Sequence, residues 1–115
     1  MKVKLFSTLL LAALLLTGCG QGHEAKSLIK SFIGEYMSGD RKSVTYSRLD
    51  STRFVTADDI AAMRNRLPKA RYVNVKPPVN LLFMSTSYID AQGNNHRQTF
   101  YIDEQMQGIV CFKEN

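Results

Sequence analysis

The 115-residue chain has no tryptophan, two cysteines, two histidines and three prolines. With so little histidine and cysteine, the spacings C-x-x-C, H-x-x-x-H and H-E-x-x-H do not occur, and no metal site is expected. G-x-S-x-G, the Walker loop and G-x-G-x-x-G are missing too, which removes the nucleophile elbow, the phosphate cradle and the dinucleotide fingerprint. No cofactor is implied. Scattered carboxylates can still meet in a fold. Nothing selects such a pair here, so no catalytic residue is assigned. Strong charge of one sign is also lacking. Fifteen Lys and Arg against ten Asp and Glu give +5, and setting aside Lys2 and Lys4 lowers this to +3, too little to imply nucleic acid.

What is present is most distinctive at the N-terminus, MKVKLFSTLLLAALLLTGCG. Lys2 and Lys4 precede a weakly polar to apolar stretch from Leu5 to Leu16. As a helix it reaches about 18 Å, short of a bilayer core of about 30 Å. It therefore fits the apolar region of a signal peptide, with its basic end held on the cytoplasmic side.

The end of that stretch, Leu16-Thr17-Gly18-Cys19, resembles the lipobox of bacterial lipoproteins. The resemblance implies cleavage before Cys19 and attachment of a diacylglyceryl group to its thiol. Two or more acyl chains give stable anchoring, where one binds marginally. The alternative is an ordinary secretory signal with a coincidental cysteine. Gly20, rather than Asp, follows Cys19. In the enterobacterial sorting scheme that implies the outer membrane of a Gram-negative bacterium. Residues 1–18 then form the signal peptide, 19–23 a tether and 24–115 one folded domain. Lipid on Cys19 leaves Cys111 alone in an oxidising compartment, either as a small buried hydrophobe or as a reactive thiol.

Within the domain, Ala25, Leu28, Ile29, Phe32, Ile33, Tyr36 and Met37 mark one helical stripe, stopped near Gly39. Residues 44–50 read as a short extended segment. Thr56 with Asp58 and Asp59 opens a second helix, whose face continues through Ile60, Met63 and Leu67 to Pro68. The period then becomes two, giving strands over 71–76, 81–90, 96–103 and 108–113, with a turn at 91–95. Helices first and strands afterwards predict an α+β fold: two N-terminal helices on an antiparallel meander of three to four strands, one sheet face covered.

Two groups of residues are candidates for contact with a partner. Tyr46, Arg48 and Asp50 alternate along the extended segment, as a binding row or as an exposed strand face with a local ion pair. Tyr72, Tyr88 and Tyr101 fall one to a strand. Tyr101 points away from Phe100 and Ile102, so the three form either an aromatic patch on the uncovered sheet face or scattered packing. The basic run Arg64, Arg66, Lys69 and Arg71 reads as a solvated helix end or an anion contact. His23 lies in the tether and His96 beside a turn, so neither is expected in a fixed constellation.

The order of lipobox, helix, Tyr46-Ser47-Arg48-Leu49-Asp50-Ser51-Thr52, second helix and closing strands, with Thr99-Phe100-Tyr101-Ile102-Asp103 and Ile109-Val110, resembles small bacterial lipoproteins of unknown function. That resemblance implies a cystatin-like or NTF2-like α+β domain and transfers no catalytic residue. The expectation is a noncatalytic, lipid-anchored cell-envelope protein. It contacts the membrane through its N-terminal lipid and binds another envelope protein or a polymer, with its oligomeric state open. The alternatives are a small-ligand-binding or enzymatic NTF2-like domain and a structural or dimerisation module.

Overall fold

The computed structural model describes residues 20–115; the apolar stretch and Cys19 lie outside the described residues. The first described element is a helix, α1, over residues 20–36. Ala25, Ile29 and Phe32 are its buried positions, with Leu28, Ile33, Tyr36 and Met37 packed beside them. This is the stripe that a 3.6-residue period demands. Residues 20–23, expected as a tether, are helical instead. Gly20 and Gly22 each cost about 1 kcal/mol relative to Ala in a helix. Extending an existing helix is far easier than nucleating one, so the stripe that begins at Ala25 carries them.

The sheet has five antiparallel strands: β1 (Lys42–Tyr46), β2 (Asp50–Thr52), β3 (Leu81–Ile89), β4 (Asn95–Asp103) and β5 (Ile109–Glu114). Strands β3, β4 and β5 form the expected meander. Both β1 and β2 pair with the free edge of β3, opposite Thr86–Ile89 and Leu81–Phe83 respectively. The extended segment expected over 44–50 is therefore two strands with a break at 47–49. Ser43 sits at φ 53° inside a register shift, so the start of β1 is bulged.

No strand forms over 71–76. That stretch runs beside β5 but bonds it through Val73 N–H to the Ile109 carbonyl at 2.9 Å. The reason lies in β5. Tyr101 pairs with Cys111 but Ile102 pairs with Ile109, which leaves Val110 as an extra residue. The next outward carbonyl, that of Val110, is taken by Arg64 Nε at 2.8 Å rather than by a backbone N–H. A side chain thus interrupts the ladder that would have made this stretch a strand.

Helix α2 (Ala57–Arg64) begins at a capping box. Asp59 N–H donates to Thr56 Oγ1 at 3.1 Å, and Thr56 N–H donates to Asp59 Oδ2 at 3.0 Å. It ends at Asn65, before Pro68, and a tightened turn carries the chain through Leu67.

The two helices do not share a face of the sheet. Phe100 and Ile102 join α1 with Met84, Ile109 and Phe112, whereas Tyr101 joins Ile60 of α2 with Val55, Leu81, Val110 and Cys111. Successive strand residues point to opposite faces, so these are two cores with the sheet between them. The expectation of one covered face is corrected accordingly. Between α1 and the sheet stand the rings of Phe32, Phe100 and Phe112, with centroids 5.3 to 6.0 Å apart.

Candidate functional site

Beyond the C-terminal end of α1, its face of the sheet carries a ladder of stacked planar groups. Tyr88 and His96 are directly opposed across the β3–β4 hairpin. Their rings stack with centroids 4.9 Å apart and planes 13° from parallel. The guanidinium of Arg41, from the α1–β1 link, also lies over the Tyr88 ring, its Cζ 3.9 Å from the centroid. A cation this close to a tyrosine face is attracted by the ring quadrupole.

The Arg41 and His96 layers are held by hydrogen bonds. Arg41 donates from Nη1 to Gln98 Oε1 at 3.1 Å and from Nη2 to Met37 Sδ at 3.3 Å. Gln98 in turn donates from Nε2 to Glu114 Oε1 at 2.5 Å. At the other end, His96 Nε2 lies 2.6 Å from Asp90 Oδ2. Asp90 Oδ1 accepts from the N–H groups of Gln92 and Asn94, both at 2.9 Å, which shapes the hairpin turn around Gly93 at φ +85°. The bond from His96, followed by that from Asn94, holds the Asp90 carboxyl below the usual carboxylate range.

Two open clefts flank the ladder and share Ser38, Arg41 and Tyr88. One, of about 380 Å³, reaches Tyr36, Arg66, Gln98 and Glu114. The other, of about 310 Å³, reaches Asp40, Asp90, Gln92 and His96. Together they offer two guanidiniums, two tyrosines and a ring of amide and carboxyl groups. Such a surface gives directional hydrogen bonds and flat aromatic area.

Of the residues expected from sequence, Tyr88 alone belongs to this ladder. The Tyr46, Arg48 and Asp50 row is broken, because β1 ends at Tyr46 and β2 begins at Asp50. Tyr46 is half-buried beneath Lys26 and Lys30, whose Nζ atoms lie 5.6 and 5.9 Å from its ring centroid. Burial raises its phenol pKa, partly opposed by Arg41. Arg48 is exposed in the break, and Asp50 uses Oδ1 to accept the Ser51 N–H at 2.8 Å.

The tyrosine trio is dispersed as well. Tyr72 lies outside any strand, packs on Phe32 and donates its hydroxyl to the Leu67 carbonyl at 2.8 Å. Tyr101 does point away from Phe100 and Ile102, but it is buried against Phe83 in the core beneath α2. No aromatic patch forms from the three, since the face that was to expose it is occupied there.

Arg41, Asp90, His96 and Gln98 are the residues that sequence reasoning missed. Its place beside a turn gives His96 no fixed partner in the sequence, yet a hairpin centred on Gln92 places position 96 opposite position 88. Counting the register outward from the turn finds the Tyr88–His96 pair. Nothing local marks Arg41, which arrives from another element.

Cys111 is fully buried and unpaired among the described residues, and burial pushes its thiol up to about 12. Among the described residues no three His, Cys, Asp or Glu side chains gather as metal ligands, and no helix is long and apolar enough to cross a membrane. Comparison with protein-family models, with curated proteins and with solved structures gives no match to this chain.

Proposed function

We propose that the protein is a lipid-anchored, noncatalytic component of the cell envelope, placed in the outer membrane by its Cys19 lipid, whose α+β domain binds a carboxylate-bearing segment of another envelope protein. The Arg41–Tyr88–His96 ladder and its two clefts carry this reading. Arginine and tyrosine are over-represented among the residues that dominate binding energy at protein interfaces. Both bury large area at a modest entropic cost when already held in place. Arg41 is so held, with two of its five N–H donors bound to neighbours and its Cζ set over the Tyr88 ring. Arg66, which also lines the 380 Å³ cleft, supplies a second guanidinium.

The open shape of the clefts favours an extended protein segment over an enclosed small molecule. A ligand pocket of the cone-like kind would have to lie between α1 and the sheet, where Phe32, Phe100 and Phe112 stand. The test is affinity recovery from detergent-solubilised membranes. Wild-type protein is expected to retain one partner in stoichiometric amount, and Arg41→Ala and Tyr88→Ala are each expected to weaken retention about tenfold or more. Equal recovery with both variants, at unchanged thermal stability, would remove the ladder from the interface. Turnover of a small molecule by the purified protein would overturn the noncatalytic reading.

A further inference from the structure

A second surface, on the flank of α1, has a different chemistry. At 100° per residue around a helix, Lys26, Lys30, Ile33 and Gly34 fall together on one flank of the buried stripe. Glu24 and Glu35 fall on the opposite flank. Strand β1 adjoins the lysine flank, and between them lies an open depression of about 400 Å³ lined by Lys30, Ile33, Gly34, Arg41, Val44 and Tyr46. No carboxylate lines it. Val44 is 40 % exposed, one of two large hydrophobic residues exposed in the described chain. The lysine ammoniums overhang the Tyr46 ring, and neither takes part in an ion pair among the described residues. Lysines above an amphipathic tyrosine and exposed aliphatic carbon are the composition that suits a lipid headgroup layer.

The helical path of residues 20–23 fixes how near this flank lies to the anchor. Cys19 precedes the first described helical residue by one peptide unit, and Lys26 and Lys30 stand about 9 and 15 Å further along the axis. Headgroup regions are several ångströms deep and the Debye length is about 8 Å at physiological salt. An anchored domain therefore holds both ammoniums within electrostatic reach of the surface when α1 leans toward it. The lysine flank leans favourably toward anionic lipid, and the Glu24–Glu35 flank does not.

We infer that the α1–β1 flank, through Lys26, Lys30, Val44 and Tyr46, is the side on which the anchored domain lies against an anionic phospholipid surface. This inference rests on the anchoring reading of Cys19. Docking of the flank holds the α2 face of the sheet away from the bilayer. The free lysines supply the attraction and Val44 and Tyr46 the contact.

The test uses the full, exported chain reconstituted in vesicles of phosphatidylcholine alone or with one quarter phosphatidylglycerol. An environment-sensitive label is placed on Val44→Cys or, for comparison, on Phe54→Cys, the 89 % exposed residue before α2. Buried Cys111 is protected from labelling. Expected is quenching of the label at position 44 by headgroup-nitroxide lipid in the anionic vesicles, reversed by 0.5 M salt in the assay, with position 54 unquenched. Lys26→Gln and Lys30→Gln are each expected to reduce the docked population about fivefold. Equal quenching at both positions, equal quenching in neutral vesicles, or insensitivity to both lysine substitutions would overturn the proposal. Flotation separates the two readings: protein that floats with position 44 unquenched refutes the docking alone, whereas protein that fails to float refutes the anchor and the docking with it.

Discussion

Arg64 donates from Nε to the carbonyl of Val110 at 2.8 Å, and so fastens the last turn of α2 to the bulged residue of β5. Its Nη2 donates to the Val73 carbonyl at 2.8 Å, and its guanidinium covers Tyr72 at 5.0 Å. One side chain thereby joins the helix, the edge strand and the loop beside it. Arg64→Met keeps much of the stem but removes both bonds, together with the one from Nη1 to Asn74 Oδ1 at 3.3 Å. A loss of about 2 kcal/mol is expected, since hydrogen bonds to charged groups contribute about 1.5 to 3 kcal/mol and orphaned buried carbonyls add to the cost. Urea unfolding monitored by circular dichroism reads this directly, and an unchanged midpoint would show that the bonds are replaced by water.

Phe32 and Phe54 should differ sharply on truncation, although each is a phenylalanine between one polar and one aliphatic neighbour, Ser31 and Ile33 or Arg53 and Val55. Phe32 touches Tyr36, Tyr72, Phe100 and Phe112 with ring centroids 5.0 to 6.0 Å away. Phe32→Ala is expected to cost about 3 to 5 kcal/mol, a large share of a small domain's stability. Phe54 is 89 % exposed, so Phe54→Ser should shift stability by no more than about 0.5 kcal/mol. Paired denaturant melts of the two variants check the contrast.

Cys111 gives a test at alkaline pH. Its thiol titrates near 9.0 when unfolded and is pushed up to about 12 by burial in the fold. The folded state therefore keeps its proton where the unfolded state has lost it. Stability from this group is complete below about pH 9 and is lost as pH rises toward 12. The folded protein should resist a thiol reagent at pH 8 until denaturant is added. Fast labelling of the native protein at that site would contradict the packing of β5 against α2.

Two surface carboxyls, Asp59 exposed and Asp90 half-buried, act in the opposite sense. Hydrogen bonds from Thr56 hold Asp59 below its ordinary value of 3.8, and the bond from His96 does the same for Asp90. Here the unfolded chain takes up a proton first, so their contribution is present above about pH 4 and is lost as pH falls through that value and below. Asp59→Asn and Asp90→Asn should each flatten the acid limb of a stability profile, leaving the alkaline limb unchanged. Thermal melts from about pH 2 to about pH 10 in the assay would show it.

Cys19→Ser is expected to abolish incorporation of labelled fatty acid and to release the protein from the membrane fraction. Persistent membrane retention of that variant would mean that something other than lipid on Cys19 holds it.

Local signals reached particular elements and stopped at others. The stripe from Ala25 to Met37, the Thr56 cap and the Asp90–Asn95 turn were legible because neighbours within a few residues fix each one. The strand expected over 71–76 failed because its alternation says nothing about whether a neighbouring edge is open, and here Arg64 occupies it. The tyrosine trio failed for a related reason. Alternation placed Tyr101 on the face away from Phe100, but only the docking of α2 there decided that it is buried. In the site, the Tyr88–His96 pair follows from hairpin register, whereas Arg41 comes from another segment across the fold.

The sequence by itself determined the α+β order, the helical stripe, the hairpin register and the absence of the familiar catalytic spacings, because each is written in periods and short-range chemistry. The tertiary structure alone decided that the helices lie on opposite faces of the sheet. The Val110 bulge sends Ile109 and Phe112 toward α1 while Val110 and Cys111 join α2, so one strand feeds two cores. It also decided that the glycines expected as a tether extend a helix, and that the scarce histidine at position 96 is clamped by Asp90 and Tyr88. Those outcomes depend on which surfaces meet, and that is settled by packing between segments far apart in the chain.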